Sequence, residues 1–275
     1  VIGLHATAGA TPYRIAQSAQ LQGRTALTSL PNASLVATAS QANLTVLVTP
    51  GGTVATPFTA DVFAEPWGTI YAAHAGTQSA YASNARTGTI DRIDLNGDAQ
   101  MSFTEIATGF STNQGVPGSI SAPSGLTDDA TNDTLYVVDT NANRIVALRN
   151  VSAIGTDGVV VSGTGFSGAA TASAEVIASG APFNGPISAA LLVNGDLAVG
   201  NTLDPAGTNL LIEISPTAGA VATKNVDTGA GGAIFGIVAV PITITTMGAN
   251  GPVNTPTNQI YFNDDNSNCV VSLTQ

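Results

Sequence analysis

The stretch Leu135–Leu148, LYVVDTNANRIVAL, recurs in altered form along this 275-residue chain, and the recurrence restricts the fold more than any other feature. Leu35–Val48 reads LVATASQANLTVLV, Leu197–Ile214 reads LAVGNTLDPAGTNLLIEI, and Ile260–Leu273 reads IYFNDDNSNCVVSL. Each copy is an alternating apolar run, a small or polar corner, an Asn, and a second apolar run. That pattern is a β-hairpin, because Asn and Asp side chains bond nearby amides and tolerate the left-handed backbone of a tight corner. A hairpin unit copied around an axis is how a β-propeller is encoded.

Taking the first apolar residue of each copy as an anchor gives Leu35, Ile70, Leu135, Leu197 and Ile260, at spacings of 35, 65, 62 and 63 residues. The Asn that opens the second strand is Asn43, Asn143 or Asn268, and Asn209 follows a longer turn, Asp204–Gly207. An Arg-Ile pair recurs at Arg92-Ile93 and Arg144-Ile145, and Arg14-Ile15 points to a degenerate sixth copy at the amino end. Short strands with Pro and Gly, Ala122–Leu126 and Asn184–Ile187, precede two of the copies. No segment has helical periodicity. The expectation is an all-β chain, residues 1–275 forming one β-propeller of six blades, with five or seven also open. The amino-terminal strand is expected to complete the last blade, since closure removes exposed strand edges. Blades take about 40 to 50 residues, so Thr156–Ala174 and Pro241–Thr257 read as long excursions.

Composition narrows the function classes. Aromatic residues are 5% of the chain, so the core must be built from Val, Ile, Leu and Ala. Charged residues are 9%, and 18 carboxylates against 7 Lys and Arg leave a net charge of −11. Nucleic-acid binding and anionic-lipid binding both need clustered cations, which these few cannot supply. No run approaches the roughly 20 apolar residues of a membrane-spanning helix. A surface of Ser, Thr, Asn, Gln and Gly with a single Lys, Lys224, fits an exported protein. The start Val1-Ile2-Gly3-Leu4 has no basic leader region, so a signal peptide is expected to have been removed, with a secreted or periplasmic location. Sequons occur at Asn32, Asn43, Asn132 and Asn150. The lone Cys269 excludes an internal disulfide and, within Cys269-Val270-Val271, reads as a small buried hydrophobe.

Pro123–Leu148, PSGLTDDATNDTLYVVDTNANRIVAL, resembles a blade of the NHL-repeat family and its propeller relatives, which include the SMP-30/gluconolactonase group and streptogramin lyase. The resemblance covers that blade well and three others fairly, somewhat under half the chain. It implies a propeller blade, which enzymes and binding modules share. In the SMP-30 group it further implies a metal held by Glu, two Asn and Asp. Phe63–Trp67 departs from the glutamate motif of that group, and Pro123-Ser124-Gly125 has a hydroxyl where those enzymes carry a carboxamide; Asp139 matches their Asp.

Two constellations could carry chemistry. Four residues past the anchors stand His74, Asp139, Asn201 and Asp264, with Ala39 in the remaining copy. In a propeller such positions converge on one end of the central channel, where they form a ring able to hold a divalent cation or polar ligand. The alternative is that each caps its own turn. Asp94–Glu105, DLNGDAQMSFTE, fits an EF-hand loop, with Asp94, Asn96 and Asp98 as calcium ligands, although Ala99 replaces its glycine. Because alternating runs flank it, a hairpin with Asn96-Gly97-Asp98 at its tip explains the same residues. His5 and His74 are the only imidazoles, and no nucleophile elbow, zinc pattern or phosphate loop is present. The expected function is an exported, non-enzymatic binding or structural module whose partner is a protein, a carbohydrate or further copies of itself. The rival is a metal-dependent hydrolase or lyase, lactonase-like, with its site at the channel mouth.

Overall fold

A computed structural model describes residues 1–3, 9, 11–58, 62–74, 76–116, 121–248 and 251–275. The chain is all-β, its only helices among the described residues being short 3-10 turns, and none is long and apolar enough to cross a membrane. His5 and Leu4 lie outside the described residues.

Five sheets follow one another along the chain. Sheet I holds β3 (Arg24–Ser29), β4 (Leu35–Ala39), β5 (Leu44–Val48) and β6 (Val54–Ala55). Sheet II holds β7 (Pro66–His74), β8 (Thr77–Asn84), β9 (Thr89–Asn96) and β10 (Ala99–Thr108). Sheet III holds β11 (Pro123–Asp129), β12 (Thr134–Asp139), β13 (Arg144–Arg149) and β16 (Ala174–Ser179). Sheet IV holds β17 (Pro186–Leu191), β18 (Leu197–Asn201), β19 (Asn209–Ser215) and β20 (Gly219–Asp227). Sheet V has three strands, β21 (Ile234–Gly248), β22 (Gly251–Asp264) and β23 (Cys269–Thr274). A two-stranded ribbon, β1 (Ile2–Gly3) with β2 (Tyr13–Arg14), stands where the sequence suggests a sixth copy. Among the described residues β1 pairs with β2, not with β23.

The excursion after β13 does not stay with its own sheet. Its strands β14 (Val159–Ser162) and β15 (Gly165–Ser167) join the outer edge of sheet II, β14 lying parallel to β10. Arg92 reinforces the join by donating from Nη1 to the carbonyls of Val151, Ser152 and Ile154.

The core is not one mass but a series of aliphatic layers between successive sheets. Val36, Leu47 and Ile93 lie between I and II, and Ile90, Leu135, Val146 and Leu148 between II and III. Val138, Ile145, Leu197 and Ile212 fill the space between III and IV, and Leu211, Ala198 and Ile260 that between IV and V. Strand β12 is buried along its whole length because its alternate side chains serve two layers. The ribbon region packs Val1, Ala16 and Leu21 on the free face of sheet I.

The first strands of the sheets touch in order, β3 with β7, β7 with β11, β11 with β17, and β17 with β21. Their approach explains the glycines ahead of the hairpins: a Cβ on Gly68 would stand 2.1 Å from the Ser124 carbonyl oxygen, and one on Gly125 2.6 Å from the Ser188 Cα. Cross-sheet hydrogen bonds fix the spacing. Thr38 Oγ1 donates to the Trp67 carbonyl at 2.8 Å, Ser83 Oγ to the Ser124 carbonyl at 2.7 Å, and the Leu191 amide to Thr127 Oγ1 at 3.2 Å.

Cys269 is exposed, contrary to the expectation of burial. It opens β23, an edge strand of the sheet that, among the described residues, has three strands rather than four.

Candidate functional site

The five first strands, with Val1 and Ile2 of the ribbon region, line an open cavity of about 860 Å³. Its walls are largely apolar, with Trp67, Leu126, Ile187 and Phe235 among them, and among the described residues its charged side chains are Arg24 and Asp128. Asp128 belongs to a buried group that spacing alone could not assemble. His74 Nε2 lies 2.9 Å from Asp128 Oδ1 and Nδ1 lies 3.3 Å from Asp133 Oδ1, so both ring nitrogens face carboxylates. Burial pushes the Asp128 carboxyl up to about 6, against the opposing pull of His74 beside it. The Tyr81 ring packs edge-on to the imidazole, and burial raises the Tyr81 hydroxyl pKa.

His74 therefore does not occupy the place equivalent to Asp139, Asn201 and Asp264. It ends β7, the first strand of its sheet, whereas the other three end second strands. The equivalent of those three in sheet II is Asn84, at the end of β8, which the spacing missed. Asn84 is buried, its Oδ1 accepts from the Ala64 amide, and its Nδ2 donates to Thr89 Oγ1 and to Asp91 Oδ2.

The corner side chains have local partners. Asp139 is wholly buried and paired with Arg144, whose Nε and a terminal nitrogen both approach Oδ2 at 2.8 Å. Burial raises the Asp139 carboxyl pKa and Arg144 opposes the rise. Asn201 accepts from the Asn184 amide at 3.1 Å and donates to the Pro182 carbonyl and to Asp204. Asp264 accepts from the Asn266 amide and from Ser267 Oγ. None of the four side chains His74, Asp139, Asn201 and Asp264 is among those lining the central cavity.

A divalent cation, the group the SMP-30 resemblance implies, fits this arrangement poorly. Glu65 accepts from Asn113, Ser124 Oγ lies 2.6 Å from Thr140 Oγ1, and Asp139 faces a guanidinium. Among the described residues no three His, Cys, Asp or Glu side chains are arranged to hold a metal ion.

Residues Asp94, Asn96 and Asp98 lie on a hairpin, β9 to β10, with Gly97 in the left-handed region at φ 60°. Asp94 is paired with Arg92 at 3.0 Å and accepts from Ser79 and Ser102. Asp98 reaches sheet I, accepting from Asn32 Nδ2 at 2.8 Å and from Ser34 Oγ.

The repeated Asn does more than turn the chain. Asn43 Oδ1 accepts the Glu65 amide at 2.8 Å, Asn143 Oδ1 the Gly185 amide at 2.8 Å, and Asn209 Oδ1 the Ala233 amide at 3.0 Å. Each bond runs from one sheet to the segment leading into the next.

No family model and no curated protein matches the chain. Solved structures match its fold. A chain of a nidogen/laminin complex aligns with a TM-score of 0.62 at 13% identity, covering 99% of this chain and 84% of that one. A putative gluconolactonase aligns at 0.55 with 13% identity, covering 98% and 94%. A streptogramin B lyase aligns at 0.55 with 15% identity, covering 94% and 85%. At such identities the likeness is one of architecture: the sheets around the cavity are those of a β-propeller.

Proposed function

We propose that the protein is a non-catalytic binding module exported from the cell, one β-propeller over residues 1–275 whose partner is another protein surface. The observation that carries this is the engagement of the corner side chains. Asp139, Asn201 and Asp264 each complete a turn or ion pair and none of them lines the apolar cavity, while Asp128, the one carboxylate among the described lining residues, is engaged by His74. A pocket of that kind favours binding over bond-breaking. The nidogen/laminin complex is a neighbour found in contact with another protein, which supports the same reading. The ring has six positions in this proposal, and the amino-terminal ribbon stands in the sixth against sheet I, leaving the facing side of sheet V open.

The rival is a metal-dependent hydrolase or lyase, the class to which the gluconolactonase-like and lyase-like neighbours point. Elemental analysis by native mass measurement separates them. After dialysis the protein is expected to carry less than a tenth of an equivalent of any divalent ion, and Asn201→Ala to leave that value unchanged. One retained equivalent that Asn201→Ala releases, while the variant keeps its far-ultraviolet spectrum, would overturn the binding-module proposal. Retention that is lost only in Asp94→Asn or Asp98→Asn would instead assign a surface calcium site on the β9–β10 hairpin and leave the proposal standing.

A further inference from the structure

Sheets II, III and IV each bury both faces against neighbours, and sheet I is covered on one side by the ribbon region. Sheet V buries one face only. Ile237, Ala239, Ile260 and Leu273 pack toward sheet IV, and the alternate residues Val238, Val240 and Val270 are 54%, 42% and 55% exposed. Seven of the fourteen exposed large apolar side chains among the described residues belong to this sheet. Asn268, at the place where Asn43, Asn143 and Asn209 reach the next sheet, makes no side-chain hydrogen bond among the described residues.

The open face continues past the body of the molecule. Sheet IV ends at the Leu191–Leu197 pair, whereas β21 and β22 stay paired from Val240 and Gln259 to Gly248 and Gly251. Val240, Ile242 and Ile244 fall on the same side of this arm as Val238, and Val253 joins them across the ladder opposite Thr246. Its edges are poor templates for an added strand, because Pro241, Pro252 and Pro256 carry no amide hydrogen. The face, not the edge, is left to bind.

We infer that this face is where two copies of the chain pair about a two-fold axis, sheet V on sheet V. The inference rests on the binding-module reading and names its partner. Charge selects the occupant. From Thr228 to Asn263 there is no charged residue, in a chain of net charge −11. Two such acidic bodies repel each other, and on this face they can meet without opposing like charges; the equally uncharged stretch Thr25–Ala60 builds sheet I, whose free face the ribbon region covers. The apolar stripe also complements itself, as an isologous contact requires. At ~3.3 Å per residue and a width of roughly 12 Å, the face offers about 550 Å² per copy. Doubled, that exceeds the ~1,000 Å² that marks a specific interface.

Sedimentation velocity from 1 to 100 μM tests it on the whole chain. The protein is expected to pass from monomer to dimer over that range, more readily at 0.5 M than at 0.05 M NaCl, since salt screens the repulsion. The double variant Val240→Lys/Ile244→Lys, with both substitutions on the solvent side of the monomer, should weaken the dimer at least tenfold while keeping the thermal midpoint. Met101→Lys, at an exposed position on another sheet, should leave it intact. A wild-type monomer at every concentration, open-ended larger species, or a dimer untouched by the double variant would each overturn the inference. The metal measurement is independent of these outcomes, so failure of the dimer and failure of the binding-module reading are told apart.

Discussion

Asp91 has a strongly displaced carboxyl. It is fully buried, its Oδ2 accepts from Asn84, its Oδ1 has no hydrogen-bond partner among the described residues, and burial pushes its carboxyl up to about 8. The folded protein therefore holds a proton that the unfolded chain releases near its ordinary value of 3.8. Stability from this group is complete below pH 4 and declines as pH rises toward 8, because there the unfolded chain binds fewer protons than the folded one. Asp91→Asn supplies a neutral side chain of the same shape. Thermal unfolding at pH 5 and pH 8 should show the wild type losing stability over that interval and the variant losing less, by on the order of 1–3 kcal/mol at pH 8. Residue identity was the part of the site least legible in the sequence. Asn43, Asn143 and Asn209 were visible as turn formers, but their bonds to the next sheet depend on packing between segments some 20 to 40 residues apart. His74 was misaligned because alternation marks a strand without saying which strand of a hairpin it is. Ala80, four residues before Asn84, is the equivalent anchor and gives spacings of 45 and 55 residues, more even than 35 and 65. A small residue does not announce itself as the start of an apolar run.

The hairpins were legible element by element, since Leu35–Val48, Leu135–Leu148, Leu197–Ile214 and Ile260–Leu273 are the paired strands β4–β5, β12–β13, β18–β19 and β22–β23. What escaped was where the excursions go. Nothing in Val159–Ser167 says that it will lie on a sheet formed some 50 residues earlier, because parallel edge pairing leaves no local pattern. Two of the five first strands, β11 and β17, are legible from their Pro and Gly, and Gly125 in the first of them has a steric cause. Gly125→Ala would force β11 and β17 apart, since a Cβ there meets backbone atoms of Ile187 and Ser188 that cannot rotate away. Chemical denaturation should show a loss of about 2 kcal/mol, with the denaturant dependence unchanged.

Across the whole molecule, stability is a chain of nearest-neighbour layers, and among the described residues no contact as extensive as those between successive first strands joins β21 to β3. The middle sheets are held from both sides, sheet I by sheet II and the ribbon region, and sheet V from one side only. Amide hydrogen exchange should therefore be slowest in β12 and β13, where nearly every side chain is buried, and fastest in β23 and in the arm beyond Val240. Uniform protection across all five sheets would mean that the ring closes as firmly as its other joints.

The asparagine bonds also share a direction. Glu65, Gly185 and Ala233 all come later in the chain than the oxygens that receive them. During synthesis from the amino end, each new sheet thus meets a docking point that already exists, and none has to wait for residues still to be made. Construction proceeds one way around the axis, and whatever seats itself last does so against Asn268.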